Sequence, residues 1–192
     1  MTTSSKSKRV MMVAPRSTGG NFEYVAIPRQ GLLFLSGALQ QWKGDFLYDR
    51  EIWYEDRSGN IDPDKDLEKT DIFMITALIN EAPRAYEIAQ GAKAHHPQMK
   101  MIGGGPHMGP LAEEALGVAG FDVIVQREAE DIIGVLCDTL LRYDGADLTA
   151  KLYKIPGISF MDHGQFVETK RRGVIAPDFV ELPDFGSVKD LT

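Results

Sequence analysis

Five short, mostly apolar segments, separated by segments with helical spacing, constrain the fold of this 192-residue chain more than any other feature. They are residues 10–14, 46–53, 71–76, 99–102 and 121–125. Continuous apolar runs are typical of parallel strands buried on both faces of a sheet, whereas the mixed composition of residues 46–53 indicates an edge strand. The alternation predicts an α/β fold with a doubly wound, five-stranded parallel sheet, Rossmann-like with flavodoxin-like strand order.

The C-terminal part of the chain has a different pattern. Residues 158–161 and 165–169 flank Asp162, His163 and Gly164, which predicts a β-hairpin. Beyond residue 172, Pro, Asp, Phe and Leu mix without a period, which is typical of a connector leaving a domain. We therefore predict a flexible N terminus at residues 1–9, a Rossmann-like domain at 10–145, a hairpin extension at 146–172 and a connector at 173–192.

Charge and composition exclude several classes of function. The net charge of −7 is unfavourable for binding nucleic acid. The basic cluster Lys170, Arg171 and Arg172 is interpreted as a solvated edge after the hairpin. No apolar run approaches the ~18 residues of a membrane span, and no signal peptide is evident, so we expect a cytoplasmic protein with no membrane partner. The single cysteine, Cys137, excludes an internal disulfide and an iron–sulfur cluster held by this chain alone.

A run of three glycines follows the fourth predicted strand. Gly103, Gly104 and Gly105 precede Pro106 and His107, so the predicted turn has no side chains at its start. A large flat ligand could lie against such bare backbone, although glycine is also common in simple strand-to-helix turns.

Four irregular loops follow predicted strands, at residues 16–30, 77–81, 103–107 and 126–128. Because ligands of doubly wound sheets bind beyond the carboxyl ends of the strands, these loops predict one ligand site. The known phosphate-binding fingerprints do not fit. Met108 stands where a dinucleotide motif needs its third glycine, and the chain has no P-loop sequence. A nucleophile elbow is also absent, since Phe34 precedes Ser36 where that motif needs glycine.

Four segments in order carry a resemblance to a known family: residues 27–36, residues 103–107 with 113–116, residues 121–130 and residues 155–160. The chain resembles the N-terminal cobalamin-binding domain of cobalamin-dependent radical S-adenosylmethionine enzymes. One departure is Arg127-Glu128-Ala129-Glu130, where the family usually has Gly-Glu-Gly-Glu. Residues 180–185 resemble the family's connector into its catalytic barrel, and the chain ends before any C-x-x-x-C-x-x-C motif.

The resemblance implies that the chain binds cobalamin as the cofactor module of a methyltransferase or a related radical enzyme. The catalytic domain, in cis or in trans, would hold the iron–sulfur cluster and S-adenosylmethionine, and this chain alone would not be catalytic. The expected cofactor-binding residues are Ile27, Pro28, Arg29, Gln30, Thr76, Leu78, Asn80, Gly103, Gly104, Gly105, Pro106, His107 and Glu128.

The resemblance also bears on the lower face of the cobalt. Cobalamin mutases and methionine synthase use a D-x-H-x-x-G loop whose histidine ligates the metal. With Gly31 at that motif's glycine, Ala26 and Pro28 occupy the Asp and His positions, and neither can ligate a metal. We therefore expect base-off cobalamin without a histidine ligand, with the lower position open, occupied by water or shielded by Arg29 or Asn80.

Two other functions are weighed against this one. A flavodoxin-like binding or signalling domain could hold a different ligand such as a flavin, because the same fold and loops would serve it. A self-sufficient enzyme such as a hydrolase has less support, since the sequence offers no convergent nucleophile and base.

Overall fold

The computed structural model describes residues 7–18, 29–175 and 181–191, which form seven strands and seven α-helices. The strands are β1 (Ser7–Ala14), β2 (Leu47–Tyr54), β3 (Ile72–Thr76), β4 (Lys100–Gly104), β5 (Val123–Val125), β6 (Ile158–Asp162) and β7 (Gln165–Glu168). The helices are α1 (Gln30–Gln41), α2 (Glu55–Ser58), α3 (Ala82–His95), α4 (Gly105–Met108), α5 (Ala112–Ala119), α6 (Ile133–Arg142) and α7 (Gly145–Leu152).

All seven strands belong to one mixed sheet, in the order β2-β1-β3-β4-β5-β6-β7. The first five are parallel and have the predicted flavodoxin-like order, with β2 at the edge. The five-strand prediction was wrong in its count. Ile124 and Val125 pair antiparallel with Ser159 and Ile158, so the predicted hairpin continues the same sheet.

The central strands are buried on both faces, which explains their continuous apolar sequence. Successive side chains of a strand point to opposite faces. Val10 and Met12 therefore pack in one core with helices α1 and α6, whereas Met11 and Val13 pack in the other with α3 and α5. Cys137 lies fully buried in the first core, in the role of a small apolar residue.

Three boundaries differ from the sequence prediction. Strand β1 begins at Ser7, inside the segment predicted to be flexible, because Lys8 and Arg9 pair with β2 and both bind the Asp71 carboxylate. Strand β4 continues through Gly103 and Gly104, so the turn begins at Gly105. Helix α7 precedes the hairpin in the segment predicted as a hairpin extension.

The described end of the predicted connector packs against the β2 side of the domain. Val188 forms a parallel bridge with Ile52, and the Asp184 amide donates to the Leu33 carbonyl at 3.0 Å. The Asp184 carboxylate accepts a hydrogen bond from the Ser36 hydroxyl at 2.7 Å. Residues 181–191 therefore cover part of α1 and the β2 edge. Across the described ranges, no helix has the length and apolar character needed to cross a membrane.

Gly37 decides how closely this segment approaches α1. A Cβ at Gly37 would overlap the Leu182 carbonyl oxygen, whereas a Cβ at Gly117 in α5 would meet nothing within 4 Å. We expect Gly37→Ala to lower the free energy of unfolding by about 1–3 kcal/mol, because the segment must move away. Gly117→Ala should raise it by about 0.5–1 kcal/mol through helix propensity. Urea unfolding measures both, and a stabilised Gly37→Ala would contradict the packing described.

Candidate functional site

A cavity of about 790 Å³ lies at the carboxyl ends of β3, β4 and β5, between the N-terminal ends of α1 and α6. It is lined by Arg29, Gly31, Leu32, Leu35, Met74, Ile75, Thr76, Ile102, Gly103, Gly104, Gly105, Pro106, Gly109, Pro110, Val125, Gln126, Arg127, Glu128, Ala129, Glu130, Ile133, Glu168 and Arg171. This is the edge at which doubly wound sheets bind ligands. Three of the four loops predicted to converge contribute to it.

Most of the strand and helix residues that line the cavity are apolar, with Thr76 at the end of β3 and Glu168 at the end of β7 as polar members. Met74, Ile102 and Val125 come from β3, β4 and β5, and all three belong to the core that α1 and α6 share. Leu32 of α1 and Ile133 of α6 face the same space. A ligand with a broad apolar surface would therefore find matching walls here.

The three consecutive glycines have three different roles. A Cβ at Gly103 would lie 2.5 Å from Ile124 Cδ1 and 3.0 Å from Met108 Sδ, so Gly103 is a core-packing residue. A Cβ at Gly104 would meet just one atom, the Val125 carbonyl oxygen at 3.6 Å. Gly105 has φ of +91°, and a Cβ there would overlap Thr76 Oγ1. Gly104 is thus the glycine whose missing side chain leaves the cavity open.

Arg29 connects the start of α1 to the loop after β3. Its carbonyl accepts a hydrogen bond from the Tyr54 hydroxyl at 3.1 Å, and its guanidinium pairs with the Glu81 carboxylate. Glu81, whose side chain is 4% exposed, also accepts a hydrogen bond from the Leu78 amide at 2.8 Å. Burial lowers the pKa of the Arg29 guanidinium, while the Asp56 carboxylate acts in the opposite direction. One carboxylate therefore holds two loops beside the cavity.

The start of the loop after β1 is fixed by a second buried carboxylate. Glu55, whose side chain is fully buried, accepts the Arg16 amide at 3.1 Å and pairs with Arg84 at 2.7 Å. That hydrogen bond with Glu55 raises the pKa of Arg84. Asn80 adds to this anchor, because its carbonyl accepts the Thr18 amide at 3.0 Å. The described ends of this loop are thus tied to the loop after β3 and to α3.

The loop at residues 126–131, between β5 and α6, forms another wall. Arg127 has φ of +62°, in the left-handed region that favours glycine. The backbone thus keeps a glycine-like conformation at the position where the resembled family usually has glycine. The Gln126 side chain donates to Ser159 Oγ at 2.8 Å, which fixes the loop to β6. One carboxylate oxygen of Glu130 is buried without a hydrogen-bond partner among the described residues.

The predicted site residues fall into three groups. Arg29, Thr76, Gly103, Gly104, Gly105, Pro106 and Glu128 line the cavity, whereas Gln30, Leu78, Asn80 and His107 do not. Ile27 and Pro28 lie outside the described residues. Gln30 and Leu78 point to solvent, and the Asn80 amide nitrogen donates to Ser17 Oγ at 3.0 Å.

None of the chain's four histidines lines the cavity. The His107 side chain is 10% exposed and lies against α3 and α5, with Nε2 at 3.3 Å from the Tyr86 hydroxyl. His96 contacts the carbonyl oxygens of Pro63 and Asp64 at the opposite end of α3. His95 pairs with Asp64 at 3.3 Å, and His163 is exposed in the β6–β7 turn.

Sequence reasoning missed two groups of cavity residues. The first group consists of apolar residues that look in the sequence like any other core residue: Leu32, Met74, Ile102, Val125 and Ile133. They line the cavity because the core is open to the cavity at their positions, which the sequence does not show. Glu168 and Arg171 reach the cavity because the hairpin joins the sheet beside β5. No local sequence signal specifies that pairing.

Comparisons with known proteins identify structures but no sequence relatives. No protein-family model matches the chain, and no curated protein matches it. One similar structure is the cobalamin-dependent S-adenosylmethionine radical enzyme OxsB with aqua-cobalamin and S-adenosylmethionine bound, with a TM-score of 0.69 and 17% identity. Another is the radical S-adenosylmethionine methyltransferase TsrM from Kitasatospora setae with cobalamin and a [4Fe-4S] cluster bound, with a TM-score of 0.67 and 14% identity.

The matched region covers 92% of this chain in both cases, but 24% of OxsB and 31% of TsrM. At these identities the similarity shows a shared fold. The chain thus spans a quarter to a third of the length of these two enzymes.

The packing of the glycines predicts that a single added methyl group is destabilising at Gly103 and nearly neutral at Gly104. We expect Gly103→Ala to lower the free energy of unfolding by about 1–3 kcal/mol, because Ile124 and Met108 must move. Gly104→Ala should change it by less than about 0.5 kcal/mol, since the added Cβ meets no crowding. Thermal and urea unfolding of the two variants measure the difference, and equal destabilisation would contradict the assignment of Gly104 to the cavity.

Proposed function

We propose that this chain binds cobalamin in the cavity and serves as the cofactor module of a radical S-adenosylmethionine enzyme, with methyl transfer as the reaction of the complete enzyme. The observation that carries the proposal is the glycine-edged, apolar cavity at the carboxyl ends of β3, β4 and β5, in a fold shared with cobalamin-bound structures. Bound cobalamin would supply a cobalt atom that carries a methyl group.

The chemistry of the cavity fits a corrin ring. The ring is broad and largely apolar, so it requires apolar walls, which Ile102 and Val125 supply. It also requires an approach free of side chains, which Gly104 leaves open. Its amide side arms require polar partners at the rim. Arg127 and Glu128, which are exposed beside the cavity, are the side chains we assign to that role.

The lower face of the cobalt is proposed to have no histidine ligand. This proposal is supported by the placement of all four histidines away from the cavity. Arg29 lines the cavity and is the residue we propose to shield the lower face. Asn80, the other residue expected there, is directed to Ser17 instead.

A separate radical domain, in cis or in trans, is proposed to supply the remaining chemistry. Such a domain binds its iron–sulfur cluster through several cysteine thiolates. The one cysteine of this chain, Cys137, is fully buried, and burial raises the pKa of its thiol. The cluster and S-adenosylmethionine are therefore assigned to the other domain.

The flavin alternative has less support. In a sheet of flavodoxin-like order, flavin mononucleotide binds at the junction of β1 and β3, where the strand order reverses. The described cavity instead involves β3, β4 and β5, and no residue of β1 lines it.

Reconstitution tests the proposal directly. We expect the chain incubated with hydroxocobalamin to retain it through desalting, with a visible corrin spectrum, and the chain incubated with flavin mononucleotide to retain none. In Gly104→Val, a β-branched side chain would occupy the cavity, and overpacking of about 1–3 kcal/mol predicts roughly tenfold weaker cobalamin binding. Gly117→Ala is the matched control. Retention of the flavin but not cobalamin would establish the alternative instead.

Electron paramagnetic resonance tests the lower face. A nitrogen ligand on Co(II) splits each cobalt line into a triplet, so we expect no triplet in the cobalamin-bound chain and no change in His107→Ala. Triplet splitting that disappears in His107→Ala would show that a protein histidine ligates the metal. Splitting that persists in this variant would indicate base-on cobalamin, in which the cofactor's own base is the ligand.

A further inference from the structure

Arg172, in the segment that follows β7, has a largely covered side chain, although its sequence context indicated a solvated edge. Its side chain is 9% exposed. Nη1 pairs with the Asp131 carboxylate, and Nη2 donates to the carbonyl oxygens of Gln126, at 3.2 Å, and Glu128. All three acceptors belong to the loop at residues 126–131, which we call the cavity loop because residues 126–130 line the cavity.

These contacts explain how Arg127 keeps an unfavourable backbone conformation. A left-handed conformation costs a non-glycine residue about 1–2 kcal/mol. In this conformation, the carbonyls on both sides of Arg127 face one guanidinium, whose charge-assisted hydrogen bonds offset the cost. A lysine ammonium lacks the planar fork that reaches several acceptors at once.

The path of Arg172 to the loop depends on Gly157. Gly157 has φ of +76°, and a Cβ there would overlap Nε of Arg172 and lie 3.2 Å from its Cγ. The same glycine accepts the Gln126 amide and donates to the Lys170 carbonyl, both at 2.9 Å. The first residue of the cavity loop and the chain before Arg172 are thus both hydrogen-bonded to Gly157.

We propose that Arg172 is a positioning residue, which holds the cavity loop in the shape that receives the ligand and couples it to the segment leaving β7. This inference rests on the proposed function for the identity of the ligand, but the effect on the loop can be measured without any ligand. Because Arg172 does not line the cavity, its effect on binding must act through residues 126–131.

The experiment compares Arg172→Ala and Arg172→Lys with Arg142→Ala, which removes an exposed arginine–aspartate pair elsewhere. The first measurement is hydrogen exchange of the ligand-free chain, read on peptides that cover residues 126–132. We expect exchange there to accelerate about tenfold in Arg172→Ala and less in Arg172→Lys, with β1 and α3 unchanged, because the loop alone opens. Unchanged exchange in the loop, or equal acceleration throughout the chain, would overturn the proposal.

The second measurement is the dissociation constant for hydroxocobalamin. Arg172→Ala should bind about tenfold more weakly, since the competent loop is less populated. In that background, Arg127→Gly should bind more tightly than Arg127→Ala. Both remove the side chain that we assign to the rim, but glycine adopts the left-handed conformation without strain. Equal affinity of the two double variants would contradict the mechanism. If the wild-type chain binds no cobalamin, the proposed function fails and the exchange experiment alone decides the role of Arg172.

Discussion

Burial of the central strands on both faces is the constraint on which the rest of the structure depends. Met11, Met12 and Phe73 are completely inaccessible to solvent, so neither face of the sheet tolerates a polar side chain at these positions. Polar and irregular residues are consequently confined to the strand ends. Because the first five strands are parallel, their carboxyl ends meet at one edge, and most of the loops that line the cavity lie there.

Buried charges then give that edge its shape. Glu55 and Glu81 are carboxylates with nearly no solvent access, and each pairs with an arginine while accepting a backbone amide from a loop. Breaking such a pair leaves an uncompensated buried charge, which is strongly destabilising. Arg172 fixes a loop in a similar way but as a cation, because its guanidinium pairs with the Asp131 carboxylate and donates hydrogen bonds to loop carbonyls. The apolar core thus places the loops, and these ion pairs select their conformation.

Much of the fold was predictable from local pattern. The apolar runs, the helical spacing between them and the mixed composition of the edge strand gave the order of the five parallel strands. The pattern failed where pairing is non-local. Residues 158–162 look the same whether their hairpin stands alone or pairs with Val125, and that pairing raised the strand count to seven. The described end of the predicted connector was similarly unpredictable, since Val188 packs against Ile52, far away in the sequence.

The candidate site also has features that the sequence predicts and features that only the tertiary structure sets. By itself, the sequence determined that the glycine run, Thr76, Arg29 and Glu128 would lie at the carboxyl edge of the sheet, because strand polarity alone places them there. The tertiary structure decided which glycine faces the cavity, since Gly103 and Gly104 differ in the neighbours that a Cβ would meet and not in any local signal. It also turned His107 towards Tyr86 and placed the Arg172 guanidinium against the carbonyls of the cavity loop. Contacts between residues distant in sequence set these orientations, and periodicity carries no information about them.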